Sequence, residues 1–264
     1  MKISIIVPVY NSSKTLKELI EKIRENLKKN SDEFEIFLID DNSTDDSWNC
    51  INKLCTQNFF VKGIKLKSNF GQHNATMAGL NLCDGDYIII MDDDLQHNPK
   101  YISQIVEKLS QGNDLCYCNY INREHQVWKI LVSKINNLIL SLGTSKPFHI
   151  YASPFRGISK STKSAVIKNK ERFIFLDILI LNGNPKLTSI DIYHEKRADG
   201  LSQYNFAKLF KLWFQMLFCI KLNILNFMIL MLPKIIAIVS LSLLNLFSKE
   251  KNQFVIDQKK NFND

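Results

Sequence analysis

The chain has few of the residues that mark fibrous, disordered or disulfide-bonded proteins. Of its 264 residues only nine are glycine and six are proline, which excludes collagen-like and linker-like compositions. Its six cysteines show no paired C-x-x-C spacing, so neither a zinc site nor a disulfide framework is indicated. The first residues lack the basic region, apolar stretch and small-residue cleavage site of a signal peptide. We therefore expect a folded protein with reduced thiols in the cytoplasm.

Acidic residues are missing between Gly200 and Ser248, where the only charges are four lysines. Residues 203–221 carry apolar side chains along one helical face, with Lys208 and Lys211 off it, which is typical of an amphipathic helix in a membrane interface. Residues 222–247 form an almost continuous apolar run, and a polar tail follows at 248–264. The sequence predicts a catalytic domain at 1–202, followed by membrane-associated helices.

The apolar run is compatible with more than one arrangement. As a helix it would be roughly 39 Å long at about 1.5 Å per residue, enough to cross a hydrocarbon core of about 30 Å. Pro233 and Lys234 interrupt its middle, so a single tilted span and a re-entrant hairpin are both open. The run also contains Asn223, Asn226, Ser240 and Asn245, which leaves a third alternative, a buried hairpin in a soluble fold.

The net charge of +8 is spread along the chain, apart from the lysines near the C-terminus and a group at Lys160, Lys163, Lys168 and Lys170. No basic helix interleaved with aromatic residues is present, so we expect no nucleic-acid partner. The concentration of lysines around the apolar run favours the cytoplasmic face of a membrane instead. A homo-oligomer is left open.

Short β-branched runs alternate with helical patterns through the first 110 residues. The runs ISIIVPV, FEIFLID, VKGIKL and DYIIIMD are each followed by a loop and a segment with helical spacing. Four consecutive strand-helix units predict an α/β fold with a mostly parallel sheet. Because these runs are apolar throughout, helices should cover both faces of the sheet, as in an open Rossmann-like sandwich.

In such a sheet ligands bind beyond the carboxyl ends of the strands. One predicted strand ends directly at Asp92, Asp93 and Asp94. Carboxylates at positions i and i+2 can point into one cleft, where their repulsion favours a divalent cation, and Gln96 offers a further oxygen. Oxygen ligands suit Mg²⁺ or Mn²⁺, with His97 a weaker candidate. The alternative is that the acidic triplet is a solvated turn.

A second acidic cluster, Asp40-Asp41-Asn42-Ser43-Thr44-Asp45, ends the predicted strand FEIFLID. Asp41 there could accept hydrogen bonds from a nucleobase or from ribose hydroxyls. The alternative reading is that Ser43 or Thr44 simply caps the next helix.

Taken in order, the segments PVYN, IDDNSTDDS, NFGQHNATMAGL and GDYIIIMDDDLQHNP resemble the family 2 glycosyltransferases, whose nucleotide-sugar domain is called GT-A. With SPFRGIS, HEKRADGLSQY and the apolar tail, the chain is most similar to the polyprenyl-phosphate glycosyltransferases. The resemblance implies inverting, metal-dependent transfer of a sugar from a nucleotide-sugar donor to a polyprenyl phosphate or lipid-linked acceptor. It also implies catalysis at the cytoplasmic face of the membrane.

The resemblance assigns roles to individual residues. The metal ligands would be Asp92, Asp94 and Gln96. The nucleotide-sugar would be held by Pro8, Tyr10, Asn11, Asp41, Gly71, Asp92 and Asp93. Phosphates would be bound by Arg123, Arg156, Arg197 and Ser202, and the chemistry would depend on Asp94, Asp177 and Arg156.

Two alternatives concern the reaction. The chain has Ser68 and Gln203 where relatives usually carry Arg and Lys. If the acceptor is a sugar hydroxyl rather than a lipid phosphate, a carboxylate must take its proton, and Asp177, inside the apolar run FIFLDILI, is the candidate. A structural, hydrogen-bonded Asp177 is the other reading. A membrane-docked nucleotide-binding protein without turnover is the alternative from another class.

Overall fold

The computed structural model describes residues 1–27, 33–121, 137–138, 140–141, 144, 146–168, 175–193 and 256–261. The strands are β1 Lys2–Val9, β2 Glu33–Asp40, β3 Val61–Leu66, β4 Tyr87–Ile90, β5 Leu115–Ile121, β6 Arg156–Ser159, β7 Leu187–Tyr193 and β8 Ile256–Lys260. The α-helices are α1 Leu16–Leu27, α2 Ser47–Gln57, α3 Gln72–Leu82, α4 Ile102–Ser110, α5 Lys160–Val166 and α6 Leu176–Asn182, and a 3₁₀ turn at Pro99–Tyr101 precedes α4. The four strand-helix units predicted from the sequence are confirmed.

The eight strands form one mixed sheet in the order β7-β5-β6-β4-β1-β2-β3-β8. The pairs β1-β2, β1-β4, β2-β3 and β5-β7 are parallel. Strand β6 runs antiparallel between β4 and β5, and β8 runs antiparallel to β3. Since β6 is reversed, its first residue, Arg156, lies at the same edge as the carboxyl ends of β4 and β5.

Helices cover both faces of the sheet. Along β1, Ile5 and Val7 join one core with α1, α2 and α4, while Ile6 joins the other core with α3, α5 and α6. This alternation follows from the period of two in a strand, and it explains why the strands read as continuous apolar runs. The architecture is the predicted α/β sandwich.

Strand β8 comes from the segment that the sequence assigns to a polar tail. Lys65 of β3 is in register with Gln258, and the Trp48 indole N–H donates a hydrogen bond of 3.0 Å to the Gln258 side chain. The side chain of Asn261 donates to the backbone carbonyl oxygens of Cys55 and Val61. The tail therefore covers the edge strand β3, which would otherwise leave a row of backbone groups unpaired.

Two predicted segments lie outside the described residues. These are the amphipathic segment 203–221 and the apolar run 222–247. Within the part of the chain that is described, no helix has both the length and the apolar character needed to cross a bilayer. The five cysteines in that part carry free thiols.

Candidate functional site

The carboxyl ends of β1, β2, β3 and β4 meet at one edge of the sheet, and hydrogen bonds connect their loops. The Tyr10 backbone N–H, after β1, donates to an Asp93 side-chain oxygen at 3.1 Å. The Asn11 backbone N–H donates to Ser43 Oγ at 3.0 Å, and Asn11 Oδ1 accepts from the Thr44 backbone N–H at 2.8 Å. The predicted strand-end residues thus form one continuous rim.

Asp92 and Asp94 lie on this rim in a tight turn after β4. Gln72 Nε2, at the start of α3, donates to Asp92 Oδ1 at 2.5 Å. Asp94 Oδ1 accepts from the Gln96 backbone N–H at 3.1 Å. Leu95 between them has a left-handed φ of 63°, a conformation that costs a leucine about 1–2 kcal/mol, and its side chain is buried in the core. Core packing thereby stabilises the shape of the acidic turn.

Asp93, the middle acid, is directed toward the loop after β1 rather than toward its two neighbours. Besides accepting from Tyr10, Asp93 accepts the Thr15 hydroxyl at its backbone oxygen, at 2.7 Å. Burial raises the pKa of its carboxyl to about 7. Its observed contacts are therefore structural, although the sequence resemblance assigns it to the nucleotide-sugar.

The donor groups of the turn suit a hard divalent cation. Asp92 and Asp94 are both half-buried, and each carries carboxylate oxygens at the rim. Only oxygen donors come from these two residues and from Gln96, which fits Mg²⁺ or Mn²⁺. In the described residues, no group of three or more His, Cys, Asp or Glu side chains is gathered in a metal-holding arrangement. Two carboxylates with several waters and a diphosphate are the usual environment of Mg²⁺.

Asp41 lies at the end of β2 and is buried. Its two carboxylate oxygens accept the backbone N–H groups of Phe70 and Gly71, each at 2.8 Å. Burial nevertheless raises the pKa of Asp41 to about 6. Gly71 has a φ of 87° with open space beside it, so the backbone angle, rather than crowding, requires glycine. Asp41 thus positions the start of α3, and with it Gln72.

Pro8 is buried within β1, opposite Ile39 of β2. Its observed environment is the sheet, two residues before the rim at Tyr10. The loop after β3 exposes Lys67 and Ser68.

Arg156 and Asp177 form a buried ion pair, in which Arg156 Nη1 donates to Asp177 Oδ1. The Tyr117 hydroxyl donates to the same oxygen at 2.7 Å. Burial alone would lower the pKa of Arg156, but the Asp177 carboxylate raises it above the usual value. Arg156 Nε is buried without a hydrogen-bond partner among the described residues. A buried guanidinium with a spare donor can accommodate an anionic oxygen.

His73 lies next to this pair, with its ring 4.7 Å from the ring of Phe175. Burial lowers the pKa of His73 to about 4, so its imidazole is neutral at pH 7. The Asp92 carboxylate contributes to the raised pKa of Arg156. The ion pair and the acidic turn therefore belong to one electrostatic environment.

Two residues that contact the site were not identified from the sequence. Three of the predicted site residues cannot be placed in the structure. Tyr117 has no motif that marks it, while Gln72 is part of NFGQH but received no role. Arg123, Arg197 and Ser202 lie outside the described residues.

The chain is similar in sequence to a known family and to proteins of named activity. The family described as Glycosyl transferase family 2 matches residues 4–164. The chain is 33% identical over 220 residues to the undecaprenyl-phosphate 4-deoxy-4-formamido-L-arabinose transferase of Photorhabdus laumondii, covering 83% of this chain and 68% of the relative. It is 31% identical to the protein of the same name from Proteus mirabilis, with the same coverage.

Solved structures show the same fold at lower sequence identity. The glucosyl-3-phosphoglycerate synthase of Mycobacterium tuberculosis, in complex with Mn²⁺, UDP and phosphoglyceric acid, superposes with a TM-score of 0.63 at 14% identity. This match covers 84% of the chain and 79% of that structure. The same enzyme with Mn²⁺ and UDP-glucose gives a TM-score of 0.60 at 16% identity, covering 84% and 80%.

Proposed function

The chain belongs to glycosyl transferase family 2, and from this membership we propose that it moves a sugar from a nucleotide-sugar donor to a polyprenyl phosphate, with inversion at the anomeric carbon. The observation that carries the proposal is the meeting of the acidic turn and the buried Arg156 at one edge of the sheet. Relatives at 33% and 31% identity are undecaprenyl-phosphate sugar transferases. Solved structures of the same fold contain Mn²⁺ and UDP or UDP-glucose.

The rim supports a donor site at Asp92 and Asp94. These carboxylates would hold Mg²⁺ or Mn²⁺, and the bound cation would neutralise negative charge on the departing nucleoside diphosphate. Tyr10 and Asn11, on the adjacent loop after β1, would face the nucleoside, and Asp41 would support that side through Phe70 and Gly71. Asp93 and Pro8 would act by shaping this wall rather than by touching the sugar.

Arg156 would bind phosphate oxygens on the acceptor side. An oxygen of the acceptor phosphate attacks the anomeric carbon while the bond from that carbon to the diphosphate oxygen breaks. The acceptor phosphate is already ionised near neutral pH, so no base has to remove a proton. Orientation by Arg156 and neutralisation of the leaving group then account for catalysis.

The contacts and burial of Asp177 favour a lipid phosphate over a sugar hydroxyl as the acceptor. Its Oδ1 accepts from both Arg156 and Tyr117, and only 8% of the residue is exposed. A carboxylate held in this way is a weak candidate for a general base. We therefore propose that Asp177 orients Arg156.

The acceptor class can be tested with purified full-length chain in detergent or lipid. We expect mass spectrometry to detect a sugar-phosphate-lipid product when a short polyprenyl phosphate is offered with a panel of UDP- and GDP-sugars and Mn²⁺. Glycan acceptors with free hydroxyls, offered in parallel, should give none. Product only with glycans would contradict the proposal, and metal-dependent nucleotide binding without any product would favour the non-catalytic alternative.

We further propose that residues 222–247 enter and leave the membrane on one face, as a re-entrant hairpin, with 203–221 lying in the interface. Strand β7 ends at Tyr193 and β8 begins at Ile256, and both strands belong to one sheet. A segment that starts and ends on the same cytoplasmic domain cannot cross the bilayer an odd number of times. The β8 pairing therefore supports the hairpin over a single span.

Cross-linking in isolated membranes tests this arrangement. We expect mild oxidation to join Lys65→Cys and Gln258→Cys, because these residues are directly opposite in the β3-β8 register and such pairs match disulfide geometry. The control pair Lys65→Cys and Lys260→Cys is offset by two residues and should cross-link far less. A single span would prevent both links, and equal yields in the two pairs would contradict the register. Peptide mass spectrometry separates these results from links through native cysteines.

A further inference from the structure

His97 is a buried imidazole that contacts the acidic turn without belonging to it. The residue is 2% exposed, and its Nδ1 lies 3.0 Å from the backbone nitrogen of Asp92. A backbone N–H can only donate, so Nδ1 must be the accepting nitrogen. The ring proton of the neutral imidazole is therefore on Nε2.

The other ring nitrogen points to the second half of the domain. His97 Nε2 lies 2.8 Å from the hydroxyl oxygen of Tyr120, at the end of β5. Since the Asp92 contact leaves the proton on Nε2, the imidazole donates here and the tyrosine oxygen accepts. The Asp92 side chain is 3.8 Å from the same nitrogen, beyond hydrogen-bond distance. His97 thus contacts Asp92 chiefly through its backbone.

Aromatic packing restrains the orientation of the imidazole. The His97 ring lies 5.1 Å from the Phe155 ring with their planes 13° apart. The Tyr120 ring lies 5.9 Å away at 12°. Phe155 directly precedes Arg156 at the start of β6, so the imidazole lies between the acidic turn and the strand that carries the buried arginine.

We propose that His97 is a positioning residue that fixes the backbone of Asp92, and so the direction of its carboxylate, relative to the Arg156 side of the site. This inference rests on the proposed function, in which Asp92 binds the divalent cation. Residues that orient metal ligands from outside the coordination sphere typically change metal affinity about 10- to 100-fold when they are replaced. Tyr120 and Phe155 serve the same purpose by holding the ring.

Three substitutions separate the contacts. His97→Leu removes both hydrogen bonds while retaining an apolar side chain. His97→Asn keeps an oxygen near the Nδ1 position, which can still accept from Asp92. Tyr120→Phe retains the aromatic ring but removes the hydroxyl.

Mn²⁺ binding in the presence of UDP, followed by electron paramagnetic resonance of the free ion, measures the effect without requiring turnover. We expect His97→Leu to weaken Mn²⁺ affinity about 10- to 100-fold, His97→Asn to recover to within about threefold of the unmodified chain, and Tyr120→Phe to fall between them. In transfer assays the Mn²⁺ concentration for half-maximal rate should shift in the same order, while the KM for polyprenyl phosphate changes less than about twofold.

Other outcomes would overturn the inference. Equal Mn²⁺ affinity in the three variants and the unmodified chain, or a failure of asparagine to restore affinity in a folded His97→Asn protein, would show that the imidazole does not position Asp92. If His97→Leu does not fold, the Mn²⁺ affinities of His97→Asn and Tyr120→Phe still show which of the two His97 hydrogen bonds, to Asp92 or to Tyr120, matters more. Failure of the proposed function is recognised separately, because Asp92→Asn would then leave Mn²⁺ affinity unchanged.

Discussion

Replacing Asp92 or Asp94 with asparagine is expected to lower the rate of sugar transfer by about 10²- to 10³-fold. Either change removes a negative charge from the oxygen-rich turn while preserving the shape of the side chain. The remaining carboxylate and amide oxygens attract a divalent cation less strongly, so the diphosphate loses the positive charge that stabilises its departure. Initial rates across a Mn²⁺ titration measure the loss, and calorimetry of UDP binding with and without Mn²⁺ measures the binding component.

The matched control for this pair is Asp84→Asn. Asp84 precedes β4 at the opposite edge of the sheet, where its exposed carboxylate contacts the Lys2 ammonium at 3.4 Å. Exposed ion pairs of this kind contribute little, so transfer and metal-assisted UDP binding should remain close to those of the unmodified chain. If both rim variants retained cation-assisted nucleotide binding at the control's level, the proposed donor site would be wrong.

The sequence could predict the strand-helix order because each strand in the first half carries a local signal. The apolar runs are short, β-branched and bounded by polar loops, and the parallel order brings their carboxyl ends to one edge. This order predicts that the acidic turn and the Asp41 loop lie at the same edge, and the loop after β1 indeed donates hydrogen bonds to Asp93 of the turn and to Ser43 of the loop. Pairing between distant segments has no comparable local signal. The reversal of β6 between β4 and β5 and the addition of β8 to β3 depend on hydrogen bonds between residues far apart in the chain.

The division of roles within the acidic triplet also could not be predicted from the sequence. Three adjacent aspartates look alike, yet Asp93 accepts the Tyr10 backbone N–H while Asp92 contacts Gln72. The left-handed Leu95 and the loop after β1 decide which way each carboxylate points. Leucine rarely adopts that backbone angle, so its presence in LQHNP gives no warning of the turn. The contacts of Asp41 also have no signal in the sequence. Its carboxylate oxygens accept from the backbone N–H groups of Phe70 and Gly71, which only the folded chain brings near.

Replacing Arg156 with methionine is expected to destabilise the fold by about 3–5 kcal/mol and to lower transfer by about 10²-fold or more. The stability loss arises because the Asp177 carboxylate would remain buried with its arginine partner gone, supported chiefly by Tyr117. The loss of transfer arises from a different cause, the missing guanidinium for phosphate oxygens. Chemical denaturation measures the free energy of unfolding, and single-turnover transfer at saturating donor measures the chemical defect.

A second substitution, Asp177→Asn, separates the cause of the stability loss from the cause of the transfer loss. In the double variant Arg156→Met with Asp177→Asn, the uncompensated charge is removed and the Tyr117 hydroxyl can still donate to the amide oxygen, so much of the lost stability should return. Transfer should not return, because the guanidinium is still missing. Asp177→Asn alone keeps an oxygen acceptor for Arg156 and Tyr117 and should lower transfer only about tenfold, whereas replacing a general base typically costs about 10²- to 10⁴-fold. If a fully folded Asp177→Asn protein were as inactive as Arg156→Met, Asp177 would be identified as the proton acceptor. The acceptor substrate would then be a sugar hydroxyl rather than a lipid phosphate.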